Sequence, residues 1–282
     1  MDIQFVDNQR VKLSEILTST FLEASASKIA VAFAKYSGYR VIEPALVKCL
    51  ENHGVVEFLV GLDFHTTDAQ TLQALHSLSE SFQNFKFFCF SDPSDGTAVY
   101  HPKLYLFETN AVLRTIVGSS NLTRGGLSDN VEVNVLLELD ADGEKAENIR
   151  DIYAQLKYQP TRFVPDNNYI EAYGEILERV QHPKYQRTET RKAIEHLREK
   201  EQLLPKPYEN PTELKGWQSL VYSKLPNEEF HTSDLYRFAS EFARTYPDNT
   251  RIEEKIRQIL QQLRDKGIIL HLGSGRWKKF NQ

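Results

Sequence analysis

Helical and strand periodicities alternate along the first third of the sequence. Apolar residues recur at helical spacing in three segments, and each is followed by a short apolar run of strand length. In chain order the predicted helices and strands cover residues 11–24, 28–34, 39–52, 55–62, 67–82 and 85–90. Strands that alternate with helices pair in parallel and are covered on both faces. We therefore predict an α/β domain at this end of the chain.

A strand-rich region follows. A hairpin turn is predicted at Thr109-Asn110 and a loop at 118–130, and Pro102 inside the first strand predicts a bulge or an edge position. Strands joined by short turns pair antiparallel, so the sheet is expected to be mixed. The three strands are predicted at 99–107, 111–117 and 131–139, and two further helices at 144–158 and 169–180.

The C-terminal part has a different pattern. Residues 182–211 are charged, poor in apolar residues and interrupted by prolines, which indicates a connector. Thr250 and Glu253 have the spacing of a capping box, and Gly267 stands where the following helix ends. Three helices and a hairpin, the winged variant of the helix-turn-helix, are predicted at 212–225, 232–245, 250–266, 268–272 and 276–280. The predicted domains are 1–165, 166–211 as a helical and charged connector, and 212–282.

Composition excludes several classes of protein. Hydrophobic residues make up 40% of the chain and charged residues 26%, which is typical of a globular protein and not of a disordered or fibrous one. No apolar run reaches the roughly 20 residues that cross a bilayer, and no leader pattern is evident, so we expect a cytoplasmic protein. Cys49 and Cys89 each lie in an apolar segment, which predicts two buried thiols rather than disulfides or a zinc cluster.

Charge is distributed unevenly. The net charge is −5, yet residues 251–282 contain 8 Lys and Arg against 3 Asp and Glu. A basic end on an acidic body is typical of a polyanion-binding appendage, although a solvated basic face has the same composition.

One group of polar residues has the composition of a phosphate-reacting site. Strand alternation places His101, Lys103 and Tyr105 on one face. The small, polar loop at 118–126 follows the next strand, where backbone amides can surround an oxyanion. Glu132 stands at the start of the strand after that.

These residue types suffice for attack on a phosphodiester. A neutral imidazole can act as a nucleophile at phosphorus, Lys103 and Asn121 can hold the non-bridging oxygens, and a carboxylate can orient the imidazole. Each residue alone has an ordinary structural explanation, so the prediction depends on their order and spacing. His53, Asp63 and His65 are an alternative, metal-binding cluster, but a helix end and a loop explain them, and we predict no metal site.

The pattern His101-x-Lys103, Gly118-Ser119-Ser120-Asn121 and Glu132 resembles the H-x-K…G-S-x-N…E signature of the phospholipase D superfamily, most closely its restriction-endonuclease branch. The motifs are specific over residues 99–135, and the βα pattern extends the resemblance to about residue 160. The resemblance implies an αβα sandwich with a mixed sheet and an activity that needs neither cofactor nor metal.

The resemblance also implies a role for each matching residue. His101 would form a phosphohistidine intermediate, Lys103 and Asn121 would bind the scissile phosphate, Ser119 would help to position it, and Glu132 would hold the His101 ring. Superfamily members that act as monomers carry two copies of the motif, whereas the complete motif occurs once here. We therefore predict a homodimer in which one His101 attacks while the other protonates the leaving oxygen.

Residues 212–280 resemble the C-terminal winged helix of certain restriction endonucleases, including ones that recognise methylated adenine. Arginine and glutamine can read purine edges in the major groove, and lysines on the hairpin can hold phosphates. Trp277 could contact DNA or pack under the wing. The predicted DNA contacts are Arg251, Lys255, Arg257, Gln258 and Gln261 on the third helix, and Arg276, Trp277, Lys278 and Lys279 on the hairpin.

The sequence thus predicts a sequence-specific, metal-independent DNA endonuclease of restriction type. Its expected partners are double-stranded DNA, a second copy of the chain, and a cognate DNA methyltransferase acting on the same site. Two alternatives stay open: a phosphodiesterase of the same superfamily without a defined target site, serving repair or phage defence, and a catalytically silent DNA-binding protein.

Overall fold

The computed structural model describes residues 2–63, 65–91, 99–109, 111–181, 187–205 and 211–280. The chain divides into two compact units. The first comprises Met1–Glu147 and Gln159–Lys206, and the second comprises Asn148–Tyr158 and Pro207–Gln282. The domain boundaries predicted from the sequence, at 165 and 211, stay a prediction.

An eight-stranded sheet organises the first unit, with strand order β1-β7-β6-β5-β2-β3-β4-β8. Among the described strands of this sheet, β2, β3 and β4 pair in parallel and the other neighbours pair antiparallel, so the predicted mixed sheet is confirmed. The strands are β1 Asp2–Val6, β2 Ala26–Val31, β3 Val55–Gly61, β4 Phe85–Phe90, β5 Lys103–Glu108, β6 Val112–Gly118, β7 Asn134–Asp140 and β8 Arg162–Phe163.

Helices cover this sheet and supply its core. One face of the sheet, with Phe107 and Ile116, packs on apolar residues of the first helices, and the rings of Phe21 and Phe107 meet edge to face at 5.0 Å. Cys49 and Cys89 are both buried, as predicted. The helices of this unit are α1 Leu13–Glu23, α2 Tyr36–Glu51, α3 Ala69–Ser81, α5 Asn167–Gln181 and α6 Arg187–Leu203, and α4 Glu144–Lys157 belongs for the most part to the second unit.

Two features of the first unit differ from the sequence expectations. Strand β1 was not predicted, because its residues at positions 2–5 are exposed and carry no buried-strand signature. Pro102 occupies neither a bulge nor an edge: β5 lies in the middle of the sheet and begins directly after it. Helix α5 lies where a helix was predicted at 169–180, and α6 lies in the stretch predicted as a helical, charged connector; Tyr173 and Leu197 from them join the core.

The second unit contains the three helices and hairpin expected of a winged helix. Its core includes Phe242, Ile256, Leu260 and Trp277. The hairpin strands pair with a third, short strand in the order β10-β11-β9. The elements are α7 Gly216–Ser223, β9 Phe230–His231, a 3-10 helix Thr232–Phe238, α8 Ala239–Thr245, α9 Ile252–Asp265, β10 Ile269–Gly273 and β11 Arg276–Lys279.

The ends of α9 test two sequence predictions. The predicted capping box is wrong, because Arg251 rather than Thr250 is the N-cap and makes no capping side-chain hydrogen bond. The predicted end at Gly267 is confirmed: its φ of +71° is a left-handed conformation that glycine adopts at little cost.

Arg264 of α9 is buried within the second unit, with 2% of its side chain exposed. Its guanidinium donates to Asp151 at 2.7 Å and to Asp265 at 2.9 Å. Asp151, from the part of α4 that belongs to this unit, also contacts His271. Arg264, although it lies on the predicted DNA-reading helix, therefore forms its ion pairs inside this unit. In the described part of the chain, no helix is long and apolar enough to cross a membrane.

Candidate active site

Strand register brings the predicted catalytic segments to one edge of the large sheet. Lys103, the first residue of β5, is paired with Val31 at the end of β2. On the other side of β5, Leu104 is paired with Val117, so Lys103 lies beside the end of β6, where Gly118 is paired with Asn134 at the start of β7. The loops that carry His101, Ser119, Asn121 and Glu132 therefore leave the sheet at the same edge.

His101 and Lys103 contact each other at this edge. His101 is exposed and lies in the segment before β5, not within the strand as expected. The Nζ atom of Lys103 is 2.8 Å from Nδ1 and 2.9 Å from Nε2 of His101. Partial burial and the neighbouring Lys103 charge lower the pKa of His101. Partial burial also lowers the pKa of Lys103, while the Glu132 carboxylate opposes that shift.

The segment before β5 is held from two sides. The backbone N–H of Tyr100 donates to the Asp63 carboxylate at 2.7 Å, and the Tyr100 ring stacks on Phe90 with centroids 4.1 Å apart. On the other side, the N–H of Ala32 donates to the Pro102 carbonyl at 2.8 Å. Asp63, which the sequence explained as an ordinary loop residue, is therefore a positioning residue for the His101 segment.

The loop after β6 contains the other predicted catalytic residues. The Ser119 hydroxyl donates to the Glu132 carboxylate. The Oδ1 atom of Asn121, a buried residue, accepts from the N–H of Phe33 at 3.3 Å. The predicted hydrogen bond that the Glu132 carboxylate would accept from the His101 ring stays a prediction. Tyr105, expected on the face of His101, is buried and donates through its hydroxyl to the Ser120 carbonyl at 2.9 Å.

Close backbone approaches explain the glycines around this loop. A Cβ at Gly126 would lie 2.5 Å from the carbonyl oxygen of Asn121. A Cβ at Gly38, in the first turn of α2, would lie 2.5 Å from the carbonyl oxygen of Leu122, and the neighbouring Lys35 N–H donates to that carbonyl at 2.8 Å. The helix thus packs directly on the loop and leaves it little room to move.

Two buried asparagines that sequence reasoning missed also hold the loop. Asn134 accepts from the Ser120 N–H at 3.2 Å and donates to the Ser120 hydroxyl at 2.9 Å. Asn8 donates to the carbonyl of Gly126 at 2.9 Å and accepts from the N–H of Leu13 at 3.0 Å. Asn8 lies more than 100 residues from the loop in sequence, so no local pattern could have indicated it.

The sequence contains a second His-Pro-Lys triplet at 182–184, which lies outside the described residues. No Gly-Ser-x-Asn segment follows it, so the complete motif is still found once. His53 follows α2 with a φ of +65°, and Asp63 has the positioning contact described above. Across the described ranges, no three His, Cys, Asp or Glu side chains are grouped to hold a metal ion.

The predicted DNA-binding residues of the second unit fall into two groups. Arg251, Arg257, Gln258 and Arg276 are exposed, whereas Lys255, Gln261, Lys278 and Lys279 are half-buried. Trp277 is buried, donates through its indole N–H to the Thr232 hydroxyl at 2.8 Å, and stacks on His271. It therefore packs under the wing.

Lys278 and Lys279 do not share a face of the hairpin. Because side chains alternate along a strand, Lys279 lies on the face of the buried Trp277, and Lys278 lies with Arg276 on the other face. The Lys279 Nζ atom is 3.1 Å from Oδ1 of Asn227 and 5.0 Å from the centre of the Tyr222 ring. The phosphate contacts expected of Lys278 and Lys279 stay a prediction.

Two family models match the chain. Residues 18–156 match the model described as "Cardiolipin synthase, PLD-like domain", and residues 213–279 match the "Dam-replacing HTH domain". The chain joins a PLD-like domain to a Dam-replacing HTH domain. The segment with His101, Lys103, Ser119, Asn121 and Glu132 lies inside the match to the PLD-like domain, and Arg251 to Lys279 lie inside the match to the HTH domain.

Three solved structures are similar to part of this chain. NucT from Helicobacter pylori is 16% identical, with a TM-score of 0.43, over 55% of this chain and 94% of that one. Nuc, a phospholipase D family member from Salmonella typhimurium, is 17% identical, with a TM-score of 0.43, over 58% and 99%. Phosphatidylserine synthase from Haemophilus influenzae is 16% identical, with a TM-score of 0.46, over 72% and 46%.

Proposed function

We propose that this protein is a metal-independent DNA endonuclease of restriction type. The observation that carries the proposal is the convergence of His101, Lys103, Ser119 and Asn121 at one sheet edge of a PLD-like domain that precedes an HTH domain. The alternative of a silent DNA-binding protein leaves this set of groups without a purpose.

The reaction proceeds in two displacements at phosphorus. In the first, a ring nitrogen of His101 attacks the phosphodiester; the P–N bond forms, the P–O bond breaks, and the leaving oxygen takes a proton from a second imidazolium. In the second, water gives that imidazole a proton and attacks phosphorus, which breaks the P–N bond and frees His101. Nucleophile and acid are both side chains, so the proton transfers balance without a cofactor.

Electrostatics assign the supporting roles. The Lys103 ammonium stabilises charge on the non-bridging oxygens and disfavours protonation of the attacking ring, which keeps that ring nucleophilic. Asn121 binds the same phosphate, and Ser119, whose hydroxyl bonds to Glu132, helps to position it. Asp63, Asn134 and Asn8 keep the two catalytic segments in place.

The second imidazole belongs to a second copy of the chain. One complete motif supplies one nucleophile, and a twofold axis through the site places an identical ring on the opposite side of the same phosphorus. Two equivalent rings near one phosphate titrate as a pair, so activity requires one neutral and one protonated imidazole.

The HTH domain selects the DNA sequence. Arg251, Arg257 and Gln258 are exposed at the N-terminal half of α9, where recognition helices contact base edges. Packing explains the buried Trp277, so Trp277 is not needed as a base contact. A DNA methyltransferase acting on the same site is the partner that such an enzyme would need in its host.

Plasmid cleavage tests the proposal. Wild-type protein in excess EDTA should give discrete fragments from DNA in one methylation state, and His101→Ala should give none. His182→Ala is the matched control, because it alters the other His-Pro-Lys triplet, and it should cleave like wild type. A smear would support a nuclease without a target site, and binding without cleavage of methylated or unmethylated DNA would support the silent alternative. Loss of activity in EDTA would contradict the metal-independent mechanism.

A further inference from the structure

The segment that follows β2, residues 32–35, is hydrogen-bonded to both catalytic segments of the candidate active site. On one side, the N–H of Ala32 donates at 2.8 Å to the carbonyl of Pro102, which directly follows the proposed nucleophile. On the other side, the N–H of Phe33 donates to Oδ1 of Asn121 at 3.3 Å. Side chains that leave this segment toward solvent therefore border the position of the scissile phosphate.

Two of the four side chains in this segment are buried and two reach solvent. Ala32 and Ala34 are 1% and 0% exposed, and the N–H of Ala34 donates to the Thr67 hydroxyl at 3.1 Å. Phe33 and Lys35, which alternate with the two alanines, are half-buried. Successive side chains of an extended segment point to opposite sides, so Phe33 and Lys35 leave it on its solvent side. Lys35 is the one charged residue of the segment.

The backbone of Lys35 is held on both sides. Its N–H donates at 2.8 Å to the carbonyl of Leu122, the residue after Asn121. Its own carbonyl accepts from the N–H groups of Gly38 at 2.9 Å and Tyr39 at 3.0 Å, in the first turn of α2. Lys35 therefore has a fixed place beside the loop that supplies the phosphate-binding amide.

The charge of Lys35 is not balanced by a carboxylate. Among the residues that the structure describes, Lys35 forms no ion pair, whereas Lys28 at the other end of the same strand pairs with Glu108 at 3.1 Å. The acidic residue bonded to the start of α2 is Asp68, and its carboxylate accepts from the backbone N–H of Tyr36 at 3.0 Å. A half-buried cation without a counter-charge at a catalytic edge is suited to bind an anionic part of the substrate.

We propose that Lys35 binds the phosphate that adjoins the scissile one in a DNA strand. The inference rests on the proposed function, because it concerns the neighbour of the phosphate that His101 attacks. Lys103 and Asn121 hold the scissile phosphate itself, and Lys35 adds a cation beside them. In a nucleic acid strand each phosphate has a charged neighbour, whereas a small phosphodiester has none. Lys35 is thus a positioning residue that favours a polynucleotide over an isolated diester.

The salt dependence of DNA binding tests this contact without cleavage. In the full-length His101→Ala protein, Lys35→Met should flatten the slope of log affinity against log salt for duplex DNA by about 0.9, because one phosphate contact is lost. Lys35→Arg should restore the slope, since arginine carries the same charge. Lys48→Met, at an exposed lysine of α2, is the matched control and should keep the slope of the His101→Ala parent. An unchanged slope in Lys35→Met would overturn the proposed contact.

Kinetics in EDTA separate the failure of this inference from that of the nuclease proposal. Lys35→Met should raise KM for plasmid DNA about tenfold, with a smaller change in kcat, as expected for the loss of one charge-assisted contact. The variant should lose much less kcat/KM with bis(p-nitrophenyl) phosphate, a diester that has no second phosphate. Equal losses on the two substrates would show that Lys35 acts on the scissile phosphate or on the fold, and would overturn the inference while leaving the nuclease intact. A wild-type protein that cleaves neither substrate, although Lys35→Met flattens the binding slope, would support the contact and overturn the nuclease.

Discussion

The Nζ atom of Lys103 lies 2.8 Å from Nδ1 of His101, so a cation stands beside the ring that is proposed to attack phosphorus. Partial burial and this charge both disfavour a proton on the imidazole and hold the pKa of His101 below its ordinary value of 6.5. A lowered pKa favours the neutral, nucleophilic form of the attacking ring, and this form is lost as pH falls through that pKa.

This relationship predicts a titration. In wild type, the His101 ring should titrate below pH 6.5 by NMR. Lys103→Met should raise the pKa of His101, because the substitution removes the positive charge beside the ring. Lys48→Met, at an exposed lysine of α2, is the control and should leave the His101 pKa where it is. A wild-type pKa above 6.5 would contradict the arrangement.

The stability of the first unit should depend on the side-chain amide of Asn8. Asn8→Asp keeps the oxygen that accepts from Leu13 but replaces the amide donor that faces the Gly126 carbonyl with an acceptor. We expect a loss of about 1–3 kcal/mol in the free energy of unfolding, the cost of a buried polar group without its partner. Because the loop with Asn121 loses its anchor, kcat should fall more than KM rises.

Asn8→Gly distinguishes the side-chain contacts from the backbone. Asn8 has a φ of +60°, which glycine adopts without strain and alanine does not. Asn8→Ala should therefore be less stable than Asn8→Gly by about 1 kcal/mol, measured by urea unfolding. Equal stability of the two variants would show that the turn does not keep this conformation.

Gly38→Ala sets two effects against each other. Alanine in a helix is favoured over glycine by about 1 kcal/mol. The added Cβ, however, would lie 2.5 Å from backbone atoms of Leu122 and Thr123, which can give way only if the loop moves. We expect the second effect to win, with a net loss of about 1–3 kcal/mol and reduced cleavage. Ser37→Ala, at the exposed neighbouring position, should change stability by less than about 0.5 kcal/mol.

Periodicity predicted most of the fold because most elements bury one face. Strand β4 has the predicted bounds, and α3 differs from its prediction by two residues at the start and one at the end. Strand β1, which was missed, has the opposite character: it turns Ile3 and Phe5 outward and buries Val6 alone. A short alternating segment does not reveal that it pairs with β7, a strand far along the chain.

The candidate site was predictable as a list of residues but not as an arrangement. The motif spacing indicated His101, Lys103 and Ser119, and strand pairing brings their segments together. The residues that hold those segments, Asn8 and Asp63, come from elsewhere in the chain and contact backbone atoms. Any residue type offers the same backbone atoms, so the motif residues do not indicate which side chains contact their backbone.

DNA affinity should depend on salt in a way that separates the two hairpin lysines. If Lys278 contacts a phosphate, Lys278→Ala should flatten the slope of log affinity against log salt by about 0.9. Lys279 is engaged with Asn227 and the Tyr222 ring on the side of Trp277, so Lys279→Ala should leave the slope unchanged. The measurement uses the His101→Ala protein, so that DNA stays intact. Equal effects of the two substitutions would contradict the assignment of faces.

The buried ion pair of the second unit gives the largest expected change in stability. Asp151→Ala removes the carboxylate that accepts from Arg264 at 2.7 Å, and Asp265, which is about half exposed, cannot replace it fully. An uncompensated buried charge costs about 3–5 kcal/mol, and the remaining contact with Asp265 places the expected loss near 3 kcal/mol. Asp265→Asn, at the exposed end of the same network, should cost less than about 1 kcal/mol.

Both tryptophans of the chain, Trp217 and Trp277, lie in this unit, so tryptophan fluorescence in urea reports its unfolding separately from the first unit. If Asp151→Ala unfolds at the same urea concentration as wild type, the ion pair between Asp151 of α4 and Arg264 does not stabilise this unit.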